Sequence, residues 1–196
     1  EIGVQSLTER IYNIVNRGHD LQQVISSFQI AKDAGYKIVA HMMPGLPTMT
    51  PKEDIADFKK LFEMDEFKPD MLKIYPSLVL KDTPLYEDYK LGNYKPYSTE
   101  EMIDVLAEAK KDIPKWVRIM RVQREITIDE IVDGPKMGNL RQKVHQRLHE
   151  HGTSCKCIRC REAGLNNKRD FSELKLEKIE YNASEGKEVF LSFNDE

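Results

Sequence analysis

The sequence predicts an α/β fold in which crossover helices connect the strands of a parallel sheet. Four apolar segments of strand length alternate with helical segments along residues 1–122, which is the pattern of β-α-β units. Four strands are too few to close an eight-stranded barrel. Because the N-terminus also enters an apolar run at once, we expect the C-terminal half of a larger TIM-like barrel.

The four strands are expected at apolar runs bounded by polar residues or proline: Ile2–Gln5, Lys37–Met43, Asp70–Tyr75 and Val117–Val122. The first strand is expected to lead into a loop through Asn16–His19. Short apolar runs that end at Gly or Pro are typical of buried strands.

The helices between these strands are predicted from their start signals. Asp20 precedes a helix over residues 21–34 that ends at Gly35, and Thr50 precedes one that begins with Pro51. Ser98 and Glu101 match a capping box for a helix to about residue 112. A short helix is expected near residues 84–91, and a basic helix from residue 139 to residue 151.

After Gly164 the pattern changes from helical to antiparallel. Leu174–Tyr181 alternates strictly between apolar and charged residues, and Val189–Phe193 follows across the turn Ser184–Lys187. This pattern predicts a β-hairpin, which would open a separate antiparallel domain.

Composition limits the class of protein. Of the 196 residues, 32% are charged and 40% hydrophobic, which suits a folded chain rather than a disordered one. No apolar run reaches the ~18 residues needed to span a membrane, and the N-terminus lacks the features of a secretory signal. We therefore expect a cytoplasmic protein with reduced cysteines and no membrane partner.

All three cysteines fall within six residues, at Cys155, Cys157 and Cys160. Thiolates at this spacing can bind one borderline cation, and zinc in a four-coordinate site is the first candidate. Three thiolates leave one position, for a histidine such as His145, His149 or His151 just upstream, or for a ligand from elsewhere. The alternatives are free thiols, or a disulfide in an oxidising compartment.

Charge is distributed unevenly around this cluster. Residues 115–169 carry 13 Lys and Arg against 6 Asp and Glu, a balance of +7, whereas the remaining residues have 17 against 27, a balance of −10. A basic segment in an acidic chain indicates a polyanionic partner. The simpler alternative is a solvated basic surface.

Functional side chains are expected where the parallel strands end. Polar residues there include Gln5 and Ser6, the run His41–Gly45, and Lys73 with Tyr75. His41 alone would be typical of a satisfied core histidine, but a lysine inside an apolar strand requires a partner or a ligand. Arg121 and Arg124 after the fourth strand suit phosphate contact. The sequence contains no glycine-rich phosphate loop and no hydrolase serine elbow.

Five motifs together resemble a known family: AHMMPGLP at 40–47, LKIYP at 72–76, IMRVQREI at 119–126, GNLR at 138–141 and CREAG at 160–164. The chain is similar over nearly its whole length to the catalytic subunit of Elongator, the tRNA uridine(34) acetyltransferase family, in its archaeal or bacterial form.

The resemblance implies a radical S-adenosylmethionine barrel joined to a lysine-acetyltransferase-like domain. Such an enzyme begins acetyl-CoA-dependent carboxymethylation of the wobble uridine (U34) at C5 by way of a 5′-deoxyadenosyl radical. Its cofactors are a 4Fe-4S cluster with S-adenosylmethionine, and its substrates are tRNA and acetyl-CoA. Other Elongator subunits are expected as partners in eukaryotes, and a homo-oligomer in archaea or bacteria.

On this resemblance, residues 1–135 are part of the barrel, residues 136–170 a basic helix with a zinc-binding linker, and residues 171–196 the start of the acetyltransferase domain. Two features depart from the family. No cysteine precedes Cys155 to bind the cluster, and the acetyl-CoA site would lie beyond Glu196. We therefore expect a fragment that is inactive alone.

The predicted site residues fall into four groups. His41, Lys73 and Tyr75 are expected to be catalytic, Gln5 and Ser6 to bind S-adenosylmethionine, and the three cysteines to bind zinc. Contacts to tRNA are expected from the basic residues Arg121, Arg124, Arg141, Lys143 and Arg147. The alternative function is a non-catalytic, zinc-stabilised module that binds tRNA or protein.

Overall fold

The computed structural model describes residues 1–166 and 172–195, and a four-stranded parallel sheet forms its centre. The strands, in chain order, are β1 Ile2–Gln5, β2 Val39–Met42, β3 Met71–Ile74, β4 Val79–Leu80, β5 Arg118–Arg121, β6 Ile131–Asp133, β7 Lys175–Ala183 and β8 Gly186–Asn194. The central sheet has the order β1-β2-β3-β5, with every pair parallel. The α/β fold class is therefore confirmed.

Helices connect these strands. They are α1 Glu9–Ile14, α2 Leu21–Asp33, α3 Pro51–Glu63, α4 Pro84–Lys90, α5 Thr99–Lys111, α6 Leu140–Glu150, α7 Ile158–Arg161 and α8 Ala163–Asn166, with a 3-10 turn at Ile128–Glu130. None of the described helices is both long and apolar enough to cross a membrane.

The three long crossover helices begin where the sequence predicts. Asp20, Thr50 and Ser98 each accept a hydrogen bond from the backbone N–H three residues later, and each forms a full capping box. Their apolar faces pack with the sheet in one core, whose fully buried members include Phe28 and Leu61. Local caps and a 3.6-residue apolar period thus fix these helices.

Two short elements differ from the expectation. Helix α1 occupies part of the segment expected as a loop, and β4 pairs with β6 in a small antiparallel sheet that was not predicted. Helix α1 has only six residues; Ile11 and Tyr12 are buried, and the Tyr12 hydroxyl donates to the carbonyl oxygens of Val4 and Ser6. Elements this short depend on tertiary contacts, because they contain too few residues to show a period.

The predicted hairpin is present as β7 and β8, joined by a turn in which Ser184 and Glu185 have φ of 47° and 60°. It packs at the amino-terminal ends of the central strands. Tyr181 stacks on Trp116, just before β5, at 4.1 Å between ring centroids. The predicted boundary between linker and hairpin, at residues 170 and 171, lies outside the described residues.

Candidate functional site

The predicted catalytic residues His41, Lys73 and Tyr75 lie together at the carboxyl ends of β2 and β3. His41 and Lys73 are register partners in the parallel ladder. Both contact the Glu1 carboxylate, at 3.0 Å from His41 Nε2 and 2.5 Å from Lys73 Nζ. The Tyr75 ring lies edge-on to the imidazole, 5.5 Å between centroids.

The charges of this cluster are set by burial and by the ion pair. The Lys73 hydrogen bond, with the nearby His41, lowers the pKa of Glu1. Burial lowers the pKa of His41. The charge of Glu1 and its hydrogen bond raise this pKa, but they offset the effect of burial only in part. The cluster at neutral pH therefore consists of an ammonium, a carboxylate and a neutral imidazole able to accept or donate a proton. Sequence reasoning missed Glu1, because no pattern links it to β2 and β3 before the sheet is assembled.

The predicted cofactor residues Gln5 and Ser6 lie at the end of β1, held by a buried carboxylate. Gln5 has φ of 65°, and the buried Ser6 hydroxyl donates to Asp57 Oδ2 at 2.5 Å. Asp57 also accepts from the Leu7 backbone N–H at 2.8 Å. Ser6 therefore positions the strand end, while Gln5 is only partly buried.

A second buried carboxylate holds the turn after β2. Asp54 Oδ2 accepts from the Gly45 N–H at 2.9 Å and from the Tyr97 hydroxyl at 2.8 Å, and the Tyr94 hydroxyl donates to the Gly45 carbonyl at 2.7 Å. Gly45 has φ of 82°, which disfavours other residues. Burial raises the pKa of Asp54 to about 6. Sequence reasoning missed Asp54 and Asp57; their signal was acidic residues on the apolar face of α3.

The five basic residues predicted to bind tRNA occupy different environments. Arg121 is half-exposed, and its Nη1 lies 3.5 Å from Oε1 of the exposed Glu125. Arg124 is also exposed. Lys143 is exposed, with Gln146 at 3.4 Å. Arg141 is partly buried and donates to the Ile119 carbonyl at 3.1 Å.

Arg147 differs from the other basic residues because it joins helices. Its guanidinium contacts Glu100 at 2.7 Å, Glu150 at 3.4 Å and also Asp104. It would reach a phosphate only by giving up these pairs.

The three cysteines form a compact cluster beside β5. Their sulfur atoms all lie within 4.8 Å of one another, and Cys157 Sγ is 3.5 Å from Cys160 Sγ. His145 Nε2 from α6 is 3.5 Å from Cys160 Sγ. The Ile158 N–H donates to the Val117 carbonyl at 2.9 Å, so the cysteine segment covers the edge of β5. The donor set fits a thiolate-binding metal ion.

The electrostatics of the cluster stabilise one thiolate in particular. Hydrogen bonds from the other two thiols, and further from the Ile119 backbone, lower the pKa of the Cys157 thiol, and the hydrogen bond to Cys157 raises the pKa of the Cys155 thiol. The side chain of Lys110 is fully buried, with its Nζ 3.0 Å from His145 Nε2. Burial and this ammonium lower the pKa of His145 to about 4, so the imidazole is neutral and cannot balance the lysine. Anionic sulfur can do so.

These thiols do not provide an iron–sulfur site at the carboxyl end of the sheet. The sequence holds only these three cysteines, and all of them lie beside β5. The residues of this chain therefore do not fit the role of cluster ligands next to His41 and Lys73.

Comparison with known proteins agrees with this architecture. The Radical SAM superfamily model matches residues 1–61, and the Radical SAM C-terminal domain model matches residues 69–150. The chain therefore belongs to the radical S-adenosylmethionine superfamily.

Within that superfamily the chain resembles the catalytic subunit of Elongator, as its motifs indicate. It is 46% identical over 200 residues to the tRNA uridine(34) acetyltransferase of Methanocaldococcus jannaschii, covering 100% of this chain and 37% of that protein. Elongator complex protein 3 of Saccharomyces cerevisiae is 43% identical over 198 residues, covering 100% of this chain and 36% of that protein.

A solved structure gives the same result. The archaeal Methanocaldococcus infernus Elp3 with N-terminus deletion (1-46) superposes with a TM-score of 0.93 at 44% identity, over 97% of this chain and 46% of that chain. The chain thus spans little more than a third of the length of its curated relatives.

Proposed function

We propose that this chain is the C-terminal barrel half, metal-binding linker and first acetyltransferase hairpin of an enzyme that modifies U34 of tRNA. The observation that carries the proposal is similarity over the complete chain to proteins named for this activity, at 46% and 43% identity. In the proposed division, residues 1–135 belong to the barrel, 136–170 to the linker and 171–196 to the acetyltransferase-like domain.

The strand-end cluster is the proposed uridine pocket. Lys73 would supply a positive charge, His41 a neutral proton acceptor and Tyr75 a ring face for the base, with Gln5 and the strand end that Ser6 holds beside the S-adenosylmethionine. S-adenosylmethionine and a 4Fe-4S cluster, held by residues outside this chain, would supply the 5′-deoxyadenosyl radical. Glu1 orients His41 and Lys73, with which it forms hydrogen bonds.

The cysteine cluster is the proposed zinc site, with a structural role. Cys155, Cys157 and Cys160 would be three ligands. His145 would be the fourth if its Nε2, which is 3.5 Å from Cys160 Sγ, exchanged its 3.0 Å contact with Lys110 Nζ for the ion. Four protein ligands leave no open position for substrate. The ion would fix the linker against the edge of β5.

The basic surface at the end of β5 and along α6 is the proposed tRNA contact. Arg121, Arg124 and Lys143 are accessible for phosphates, Arg141 is partly buried behind them, and Arg147 lies at the margin in its carboxylate pairs. Phosphate contacts of this kind give salt-dependent affinity.

The substrates and partners of the whole enzyme follow from the same proposal. Acetyl-CoA would bind the part of the acetyltransferase-like domain that lies outside this chain. The enzyme would act in the cytoplasm, with other Elongator subunits in a eukaryote or as a homo-oligomer in an archaeon or bacterium.

A second function is favoured by one observation. Because the chain offers no thiol at the carboxyl end of its sheet, the chain alone would act as a non-catalytic, zinc-stabilised module that binds tRNA or protein.

A graft tests the enzyme proposal directly. Residues 1–196 replace the matching segment of the Methanocaldococcus jannaschii relative, and acetyl-CoA-dependent modification of tRNA is measured. We expect activity within about tenfold of the parent and its loss in the graft with Lys73→Met. A folded graft that binds tRNA but is inactive would favour the binding module instead.

A further inference from the structure

A polar pocket lies between the end of β5 and the start of α6. Its volume is about 240 Å³. Its walls come from two stretches of chain, and the residues that matter here are Arg121, Gln123, Glu125 and Arg141. The pocket is next to the carboxyl end of β5.

Two buried polar atoms of this pocket's walls have no hydrogen-bond partner. They are Oε1 of Gln123, which is an acceptor, and Nη1 of Arg141, which is a donor. The other terminal nitrogen of Arg141 donates to the Ile119 carbonyl at 3.1 Å, so the guanidinium is held in place. Buried groups without partners are rare, and a fixed donor and acceptor in one pocket are complementary to a ligand.

The charges define that ligand further. Arg141 and Arg121 give the pocket two guanidinium groups, which pair well with phosphate oxygens. Glu125 is the opposing charge, but its side chain is 85% exposed and 3.5 Å from Arg121, so a phosphate can displace it. An anion alone leaves Gln123 unpaired. A ligand that pairs with all three residues therefore carries a hydrogen-bond donor as well as a phosphate.

We propose that this pocket binds one ribonucleotide of the RNA substrate, with its phosphate on Arg121 and Arg141 and its ribose 2′-hydroxyl donating to Gln123. In RNA the 2′-hydroxyl is a donor that lies next to the phosphate and that DNA lacks. The inference rests on the proposed tRNA function, and it adds a residue that distinguishes RNA from DNA at this position. A base N–H could also donate to Gln123, and the experiment separates the two sources.

Fluorescence anisotropy of this chain with an anticodon stem-loop RNA, and with the same stem-loop fully 2′-deoxy, tests the pocket. We expect the wild type to prefer RNA by about tenfold, and Gln123→Met to lower RNA affinity about tenfold while leaving affinity for the deoxy stem-loop unchanged. Gln22→Met, at an exposed position of α2, is the matched control and should change neither affinity. Arg121→Met should reduce the salt slope of RNA binding by about 1.

The outcomes separate this inference from the proposed function. If the wild type binds neither nucleic acid, the tRNA function fails and the pocket assignment with it. If the wild type binds RNA but Gln123→Met and Arg121→Met behave like Gln22→Met, the pocket is refuted and the tRNA function stands. If Gln123→Met weakens RNA and deoxy binding equally, a base N–H is the donor and the ribose assignment is overturned.

Discussion

The two ends of the central sheet differ in what their basic side chains contact. At the amino ends, Lys32 pairs with Asp70 at 3.1 Å and with Glu188 of the hairpin at 3.0 Å, and Lys115 pairs with Glu177 at 2.6 Å. At the carboxyl end of β5, Arg121 is half-exposed and pairs with the exposed Glu125 at 3.5 Å, and Arg124 is exposed. Buried polar atoms without partners occur at both ends in the described part of the chain, with Trp116 Nε1 at the amino ends and Gln123 Oε1 and Arg141 Nη1 at the carboxyl ends.

This difference indicates that the two ends of the sheet have separate roles. Ion pairs and the Trp116–Tyr181 stack at the amino ends attach the hairpin to the sheet. The exposed arginines at the carboxyl end of β5 are accessible to a ligand, and their surface pairing contributes little to stability. Variants of the hairpin contacts and variants of these arginines should therefore affect different properties.

The largest effect is expected from the metal site that joins the linker to β5. Cys157→Ser should reduce bound zinc from about one equivalent per chain to less than about 0.1, because two thiolates do not hold a structural zinc ion. Elemental analysis of freshly purified protein measures this. Full zinc content in Cys157→Ser would exclude the cluster as the metal site.

At the carboxyl ends, stability should depend on pH through Asp54. Its folded pKa of about 6 lies above the ordinary 3.8, so the folded state holds the proton more tightly. The free energy of unfolding should therefore fall as pH rises from about 4 to about 6, by roughly 3 kcal/mol, and stay constant above. Urea unfolding of the wild type and Asp54→Asn at pH 4 and 7 measures it. An identical pH dependence in both proteins would refute the assignment.

At the amino ends, the aromatic stack should contribute to stability but not to RNA binding. Trp116→Ala should lower the free energy of unfolding by about 2 kcal/mol. The substitution removes the apolar area that the indole buries, and the Tyr181 ring loses its stacking partner. Trp116→Phe, which keeps a ring, should lose about half as much. Urea denaturation measures both, and a loss under about 0.5 kcal/mol for Trp116→Ala would show that the hairpin is held by its ion pairs.

The smallest effect concerns the lysine behind the metal site. Lys110→Met should release zinc to a chelator about tenfold faster, because the thiolates lose the buried ammonium that balances them. Lys111→Met is the matched control, since Lys111 pairs with Glu108 near the surface. Equal release from the two variants would exclude Lys110 as the balancing charge.

Local patterns predicted most of the framework. The four central strands are apolar runs, and Asp20, Thr50 and Ser98 are helix caps, so both can be identified from a few neighbouring residues. Helix α1 and the β4–β6 pair could not be predicted, because elements of two to six residues depend on distant contacts.

The site was only partly predictable for the same physical reason. His41 and Lys73 were found because polar residues at the ends of apolar strands are unusual. Glu1, Asp54 and Asp57 acquire their roles only when separate elements meet, and the partner of each lies far away in the sequence. The unpaired atoms of Gln123 and Arg141 depend on side-chain placement, which no sequence pattern encodes.

The separate roles of the two ends are tested most directly with two variants, Trp116→Ala and Arg121→Met. RNA affinity and the free energy of unfolding are measured for each. We expect Trp116→Ala to lower stability by about 2 kcal/mol with RNA affinity unchanged. We expect Arg121→Met to weaken RNA binding several-fold with stability within about 0.5 kcal/mol of the wild type. If both variants changed both quantities in the same proportion, the two ends of the sheet would not have separate roles.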